Sequence, residues 1–291
     1  MADIAEGYRT IAKKRDAVTE KLVRKARCLA LSKIRVSKNY HILDLGCGKG
    51  EDMHELMSRY KKHELYVTGV DISSHMINEA KKRNLETAEK NGHHVSFVNG
   101  DCIEYLKNCK EEEYDLVIAD FLLSEVGCSD LFPLINKALK KGGRLSILTV
   151  SDDHLRNLEK VFFKFLMTNP SIPNWHSVSA AVVMQRVSKT IPHEKIIKSL
   201  HDNRFSKIES SSKPIMCKAH FDDPTSFLRW LNDSMWALQY CDFIKKDKRE
   251  VFADEAAKYL EEKNVKIVGE PVRYGRPFTF TLPVYSIIAE K

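Results

Sequence analysis
Residues 42–52 read ILDLGCGKGED: a short apolar run carrying one acid, Asp44, then glycine at every second position, Gly46, Gly48 and Gly50. An apolar run of this length bounded by glycine reads as a buried strand. A chain leaving a parallel strand must turn sharply into the next helix, and glycine permits both the backbone angles and the close approach of a ligand. The helix beyond offers free N–H groups and a partial positive charge, suited to an anionic group. In open α/β sheets, ligands gather at the carboxyl ends of the strands. The turn alone therefore points to a nucleotide site only in outline. Its spacing is GxGxG, whereas a dinucleotide dehydrogenase more often carries GxGxxG.

Outward from this turn, strands and helices alternate. The patterning predicts strands over 41–45, 65–70, 95–99, 116–119 and 145–150, with helices over 51–60, 75–91 and 131–140. Gly142 and Gly143 are expected to stop the last of these helices. Alternation of this kind implies a parallel sheet with right-handed crossovers. Before it, Val18, Leu22, Ala26 and Leu29 recur at helical spacing, with Lys21, Arg24, Lys25 and Arg27 between them, which predicts an amphipathic helix over 15–33. After it, a helix is expected over 192–203 with Thr190 as its cap. Strands follow over 207–211 and 215–221, then helices over 224–240 and 246–264. The closing segment RPFTFTLPVYSIIAE alternates Phe278, Phe280 and Leu282 with threonines, as a strand does, and Pro283 is expected to mark a bulge or its end.

Composition narrows the class. The chain has 291 residues, 43% of them hydrophobic, enough for one large domain with a subdomain. It has no apolar run long enough to span a membrane, and its start, MADIAEGYRT, lacks a signal core. Seven cysteines without CxxC spacing read as reduced thiols in a cytoplasmic setting, with neither a disulfide frame nor a zinc site. Eleven of the 47 Lys/Arg and four of the 40 Asp/Glu fall in residues 1–38, so the remaining 36 basic and 36 acidic residues balance. The net charge of +7 thus belongs to the N-terminal segment. It reads either as a solvated helix face or as attraction to an anionic partner such as nucleic acid.

Three further features sharpen the nucleotide reading. The second strand ends in VTGVD, and Asp71 there can accept hydrogen bonds from both hydroxyls of a ribose, or simply cap the next helix. The third ends in VNGDCIEY, which places Asp101 opposite an adenine amino group, or as an ordinary turn acid. The fourth ends in VIADFLLSEV, in which Asp120 is a site acid or only a strand-end acid.

Together, ILDLGCGKG, VTGVD, NGDCIEY and KKGGRLSIL resemble the class I S-adenosylmethionine-dependent methyltransferases of small-molecule type, over about residues 40–150. The resemblance implies a doubly wound, seven-stranded, mostly parallel sheet with an antiparallel last strand over 278–289, and S-adenosyl-L-methionine as cofactor. It implies that Asp44 and Gly46 hold the methionine end and that Gly48 lets the backbone approach. Asp71 would bind the ribose diol, with Ile72 against the adenine. Asp101 would take the adenine amino group and the Cys102 N–H a ring nitrogen, while Asp120 and Phe121 would lie beside the methionine portion. Tyr8 resembles the N-terminal residues that fold over the cofactor in this family, and is equally a core tyrosine. Lys141 stands where the family usually has proline before the double glycine, and Ser124 where many members have histidine.

The methyl acceptor is expected to meet parts outside the common sheet. The organisation reads as an N-terminal helical lid (1–39), a cofactor-binding core (40–220 and 266–291) and a helical insertion (221–265) forming part of the acceptor site. His154 and His176 are the candidate general bases, and Trp175, Trp230, Trp236 and Tyr240 the candidate acceptor contacts. The stripe Phe227, Leu231, Met235 and Leu238 makes plain core packing the alternative for that helix. No metal cluster is read from the sequence. The acceptor is expected to be a small aromatic or amine-bearing metabolite, methylated on nitrogen or oxygen. The rival is RNA, because GCGKG followed by an acid also resembles the mRNA cap guanine-N7 methyltransferases. A non-catalytic cofactor-binding subunit is a third reading, disfavoured by the intact glycines and acids. Oligomeric state is left open.

Overall fold
A computed structural model describes residues 17–150, 191–233, 249–267 and 270–291. In chain order these form α1 (Ala17–Ser32), β1 (His41–Leu45), α2 (Glu51–Arg59), β2 (Tyr66–Asp71), α3 (Ser74–Asn91), β3 (His94–Asn99), α4 (Cys102–Asn108), β4 (Tyr114–Ile118), α5 (Leu123–Val126), α6 (Leu131–Ala138), β5 (Leu139–Val150), α7 (His193–Asp202), β6 (Ser206–Ser210), β7 (Ile215–Phe221), α8 (Pro224–Asp233), α9 (Arg249–Glu262), β8 (Lys266–Ile267), β9 (Glu270–Pro271) and β10 (Phe278–Glu290).

Among these residues the main sheet has eight strands, in the order β3-β2-β1-β4-β5-β10-β6, with β7 also paired to β10. β1 to β5 are parallel, whereas β10 runs antiparallel to β5, β6 and β7. The doubly wound, mostly parallel sheet with an antiparallel last strand is thus as expected. Both of its faces are covered. Ile42, Leu116 and Ile118 pack on one side with Leu56, Met57 and Ile77. Leu145, Ile147 and Ile287 pack on the other with Phe132, Ile196 and Leu200. A third cluster joins Ala26 and Ala30 of α1, Phe227 of α8, Ala256 of α9 and Phe280 of β10. α1, α8 and α9 therefore share one apolar core with the sheet.

Two expectations about the sheet are corrected. Gly142 and Gly143 do not stop a helix; α6 already ends at Ala138, and the double glycine lies inside β5. Tyr114 pairs with Leu139 but Leu116 with Arg144, so β5 carries three extra residues there. Gly142, at φ 74, supplies the left-handed residue that such a bulge requires. Pro283 neither ends β10 nor bulges it. The β7 register runs through it without a break (Leu282 with Cys217, Pro283 with Met216, Val284 with Ile215), and the irregularity lies instead between Ile288 and Glu290. Pairing with β5 begins only at Val284, so among the described residues Pro283 has a strand on one side only, the position at which a missing N–H is tolerated. Thr190 lies outside the described residues, and the cap position of α7 is Pro192, without a side-chain bond.

A buried histidine ties β2 to α2. His93 Nδ1 accepts from the Leu65 N–H at 3.1 Å, so the proton sits on Nε2, which donates to the Met57 carbonyl at 3.0 Å. Burial, aided by His63 and His94 and opposed by the Met57 bond, holds its pKa below the usual 6.5. Below pH 6.5 the unfolded chain then binds a proton that the folded chain refuses, and stability falls until the folded value is reached. Urea midpoints at pH 7.5 and 5.5 should differ by more in wild type than in His93→Gln; equal differences would contradict this assignment.

Candidate functional site
The turn after β1 is built as its glycines allow. Gly46, Gly48 and Gly50 stand at φ 67, 53 and 72. The Cys47 N–H donates to the Val70 carbonyl at 3.0 Å and the Gly50 N–H to the Cys47 carbonyl at 2.8 Å, which locks the turn to β2. Gly50 is the cap position of α2, and Asn84 of α3 donates to its carbonyl at 3.1 Å. A Cβ at Gly50 would run into the Asn84 side-chain nitrogen and come within 3.2 Å of Ala80 Cβ. Gly50→Ala should therefore cost about 1–3 kcal/mol of stability through left-handed strain and displacement of Asn84. An unchanged urea midpoint would contradict this.

A cavity of about 240 Å³ opens beside this turn, at the carboxyl ends of β1, β2 and β4. Gly46, Gly48, Asp71, Ile72, Asp101, Cys102, Asp120 and Phe121 all line it, as the sequence reading expects of a shared site. Asp71 is held by two loops: Oδ2 accepts from the Gly48 N–H at 2.9 Å and Oδ1 from the Ser73 N–H at 2.8 Å. It does not cap α3, a role that falls to Ser73. Asp101 is both a cap and a wall residue. Its Oδ1 accepts from the Ile103 and Glu104 N–H groups at 2.8 and 3.0 Å, while Oδ2 takes part in neither bond. Phe121 stands at φ 58, with its N–H donating to the Leu148 carbonyl at 2.7 Å. A bulky residue in that region is strained, and such strain concentrates at functional sites.

Asp44 differs from the expectation in position. It is 1% exposed and is not among the residues lining the cavity; it lies within β1, in a buried charge cluster with Asp52, Glu51, Asp120 and Arg27. Burial, reinforced by Asp52 and Asp120 and opposed by Arg27, raises the Asp44 carboxyl well above the ordinary range. Burial and Asp52 do the same to Asp120. Its Oδ1 accepts from the Leu148 N–H at 2.9 Å. The Oδ2 atoms of Asp44 and Asp120 are both buried without a hydrogen-bond partner among the described residues. Burial also keeps the two cavity thiols protonated. Burial raises Cys47 well above its usual value and pushes Cys102 up to about 11.

Several cavity or supporting residues escaped the sequence reading. Arg27 lines the cavity from α1, and its Nε lies 2.6 Å from Asp52 Oδ1. A signal for it existed, since Val23, Ala26 and Ala30 recur around it at helical spacing and are buried, and Arg27 is 6% exposed among them. Asn99 donates to the Asp71 and Ile72 carbonyls at 3.0 and 2.9 Å and so holds the loop after β2. Leu122, Glu125 and Val126 add a wall from the segment after β4. Tyr8, His154, Trp175, His176, Trp236 and Tyr240 lie outside the described residues. Trp230 does not line the cavity. It is 7% exposed and packs its ring 5.4 Å from Phe221 and 5.7 Å from Phe280, the core-packing alternative. No helix among the described residues is long and apolar enough to cross a membrane.

Residues 36–199, more than half of the chain, match the family model described as a methyltransferase domain. The chain belongs to the methyltransferase domain family. The domain is of the class I, S-adenosylmethionine-dependent kind, and S-adenosylmethionine is its cofactor. Among curated relatives, the trans-aconitate 2-methyltransferase of Paracidovorax citrulli (strain AAC00-1) is 34% identical over 118 residues, 40% of this chain and 41% of that protein. The match thus spans about two-fifths of the relative's length. Among solved structures, the YcgJ protein from Bacillus subtilis superposes with TM-score 0.58 at 12% identity, over 92% of this chain and 98% of that one. The [4+2]-cyclase SpnF superposes with TM-score 0.51 at 15% identity, over 92% and 85%. At such identities the structures share the fold alone.

The wall of this methyltransferase domain fits its cofactor. S-adenosylmethionine carries an ammonium and a sulfonium at one end, and the cavity wall holds Asp120, whose buried Oδ2 has no hydrogen-bond partner among the described residues. At the other end it carries a ribose diol, and Asp71 offers two fixed acceptor oxygens.

Proposed function
We propose that this chain moves the methyl group of S-adenosylmethionine to a nitrogen or oxygen of a small aromatic or amine-bearing metabolite by in-line displacement. In this reading Asp71 takes the ribose diol, Ile72 packs the adenine, and Asp101 with the Cys102 N–H reads the adenine edge. Asp120, Phe121 and Gly46 flank the methionine portion, and Asp44 acts from behind as part of the acidic cluster. When bound, the cofactor supplies an electrophilic methyl group on a sulfonium. The protein's share is proximity and orientation, worth roughly 7–11 kcal/mol. His154 or His176 takes the proton where the acceptor holds one at neutral pH, and Trp175, Trp236 and Tyr240 contact the acceptor.

The observation that carries the acceptor class is the charge balance of the chain: outside residues 1–38 its 36 basic and 36 acidic residues cancel, whereas a long polyanion such as RNA needs a broad basic track.

The test is transfer of labelled methyl to a panel of amines, phenols, trans-aconitate and capped or uncapped RNA. Label in an amine or phenol is the expected result. Label in RNA and in no small molecule would replace this reading with the cap-type rival. With the acceptor in hand, loss of the base should lower kcat by about 10²–10⁴-fold and raise the pH at which activity plateaus. If neither His154→Ala nor His176→Ala does so, neither is the base.

A further inference from the structure
The buried charge cluster contains more than the cofactor's cationic groups require of it. Arg27 is 6% exposed, and a buried guanidinium is retained only where its charge is met. Asp52 alone would meet it, at 2.6 Å from Nε. Burial opposes the Arg27 charge, yet Asp52, Glu51 and Asp120 outweigh burial and raise its pKa. Arg27 therefore stays cationic at every accessible pH. The ion pair to Asp52 lies at Nε, and the Arg27 side chain lines the cavity. Within that lining it is the sole cation among the described residues. α1 presents it rigidly: Ala26 and Ala30 on the same helix are fully buried, and Glu20 holds Arg83 of α3 at 2.8 Å.

The methionine end of the cofactor carries two positive groups and one negative group. The wall beside the turn carries the complement, one positive group amid several negative ones. We propose that Arg27 binds the carboxylate of the cofactor's methionine end through its terminal nitrogens, while Asp120 and the acids behind it receive the ammonium. This rests on the cofactor assignment and adds a binding residue from outside the four sequence motifs. It also gives α1 a role: the helix closes the cofactor site by carrying its anion-binding residue. A guanidinium fork suits a carboxylate better than an ammonium does, because two parallel N–H bonds can form.

The test crosses a residue with a ligand group. S-adenosylhomocysteine and its decarboxylated analogue, which lacks only the carboxylate, are titrated into wild type and Arg27→Gln by calorimetry. Wild type should prefer S-adenosylhomocysteine by about 10–100-fold, as a charge-assisted bidentate contact implies. Arg27→Gln should lose that preference, binding S-adenosylhomocysteine 10–100-fold more weakly and the analogue about as wild type does. A purely structural Arg27 predicts equal losses for both ligands, and that result would overturn the inference. So would a wild type indifferent to the carboxylate, whatever the variant does. If Arg27→Gln does not fold, the pair variant Arg27→Gln/Asp52→Asn, which removes both charges together, carries the comparison. Wild type binding neither ligand would instead mean that the cofactor assignment itself fails.

Discussion

Asp71→Ala is expected to weaken S-adenosylhomocysteine binding by about 10²-fold or more while leaving the fold intact. In the free protein the Asp71 carboxylate accepts from Gly48 N–H at 2.9 Å and from Ser73 N–H at 2.8 Å, so it holds both loops against the cavity. In the proposed complex it also accepts from the ribose diol. A hydrogen bond to a charged group contributes about 1.5–3 kcal/mol, and the diol brings two. Alanine removes these and frees the Gly48 turn as well. Asp71→Asn keeps the shape but turns one acceptor into a donor facing an N–H, so it should rescue little. Affinity within twofold of wild type in both variants would show that the ribose lies elsewhere. Asn99 offers a milder check of the same geometry: its side-chain amide donates to the Asp71 and Ile72 carbonyls and does not line the cavity, so Asn99→Ala should weaken binding less than Asp71→Ala.

Phe227→Ala is expected to cost about 3–5 kcal/mol of stability, the range for truncating a buried Phe. Phe227 is 0% exposed, with ring centroids of Phe278, Phe280, Phe221 and Trp230 at 4.9, 5.0, 5.4 and 6.0 Å. It joins α8 to β7 and β10, in the same apolar cluster as α1. The cavity left by its removal is bounded by large rings that cannot close it without leaving their own contacts. Urea unfolding should show the midpoint fall with the slope retained. A loss below 1 kcal/mol would mean that α8 is peripheral to the core, as an independent insertion would be.

The parallel half of the fold was legible because β1, β2 and β4 are short, largely apolar and followed by a turn residue or an acid. Residues 41–45 are a strand over the span the patterning gives, and α1 and α3 begin and end within two residues of expectation; β7 at 215–221, although antiparallel, also matches its span. The antiparallel half was harder. β10 is flanked by β5 on one side and by β6 and β7 on the other, so Thr281 and Ser286 are buried along with the apolar residues and the alternation is blurred. Gly142-Gly143 and Pro283 were read by local rules as stops, but the pairing of β5 and β10 overrides those rules. In the site, residues at strand ends announced themselves, since position after a strand fixes where a side chain can reach. Asp71, Ile72, Asp101, Cys102, Asp120 and Phe121 share one wall for that reason. Arg27 did not, because a charged residue in a basic helix reads as solvated until the acids that meet it are known. Those acids, Glu51, Asp52 and Asp120, come from two other segments of the chain.

The most direct measurement is calorimetric titration of the wild-type chain with S-adenosylhomocysteine. The fold, the Asp71 clasp and the buried acids together predict saturable binding of one ligand per chain, competed by S-adenosylmethionine. Absence of binding at millimolar ligand by a folded wild-type chain would contradict the account.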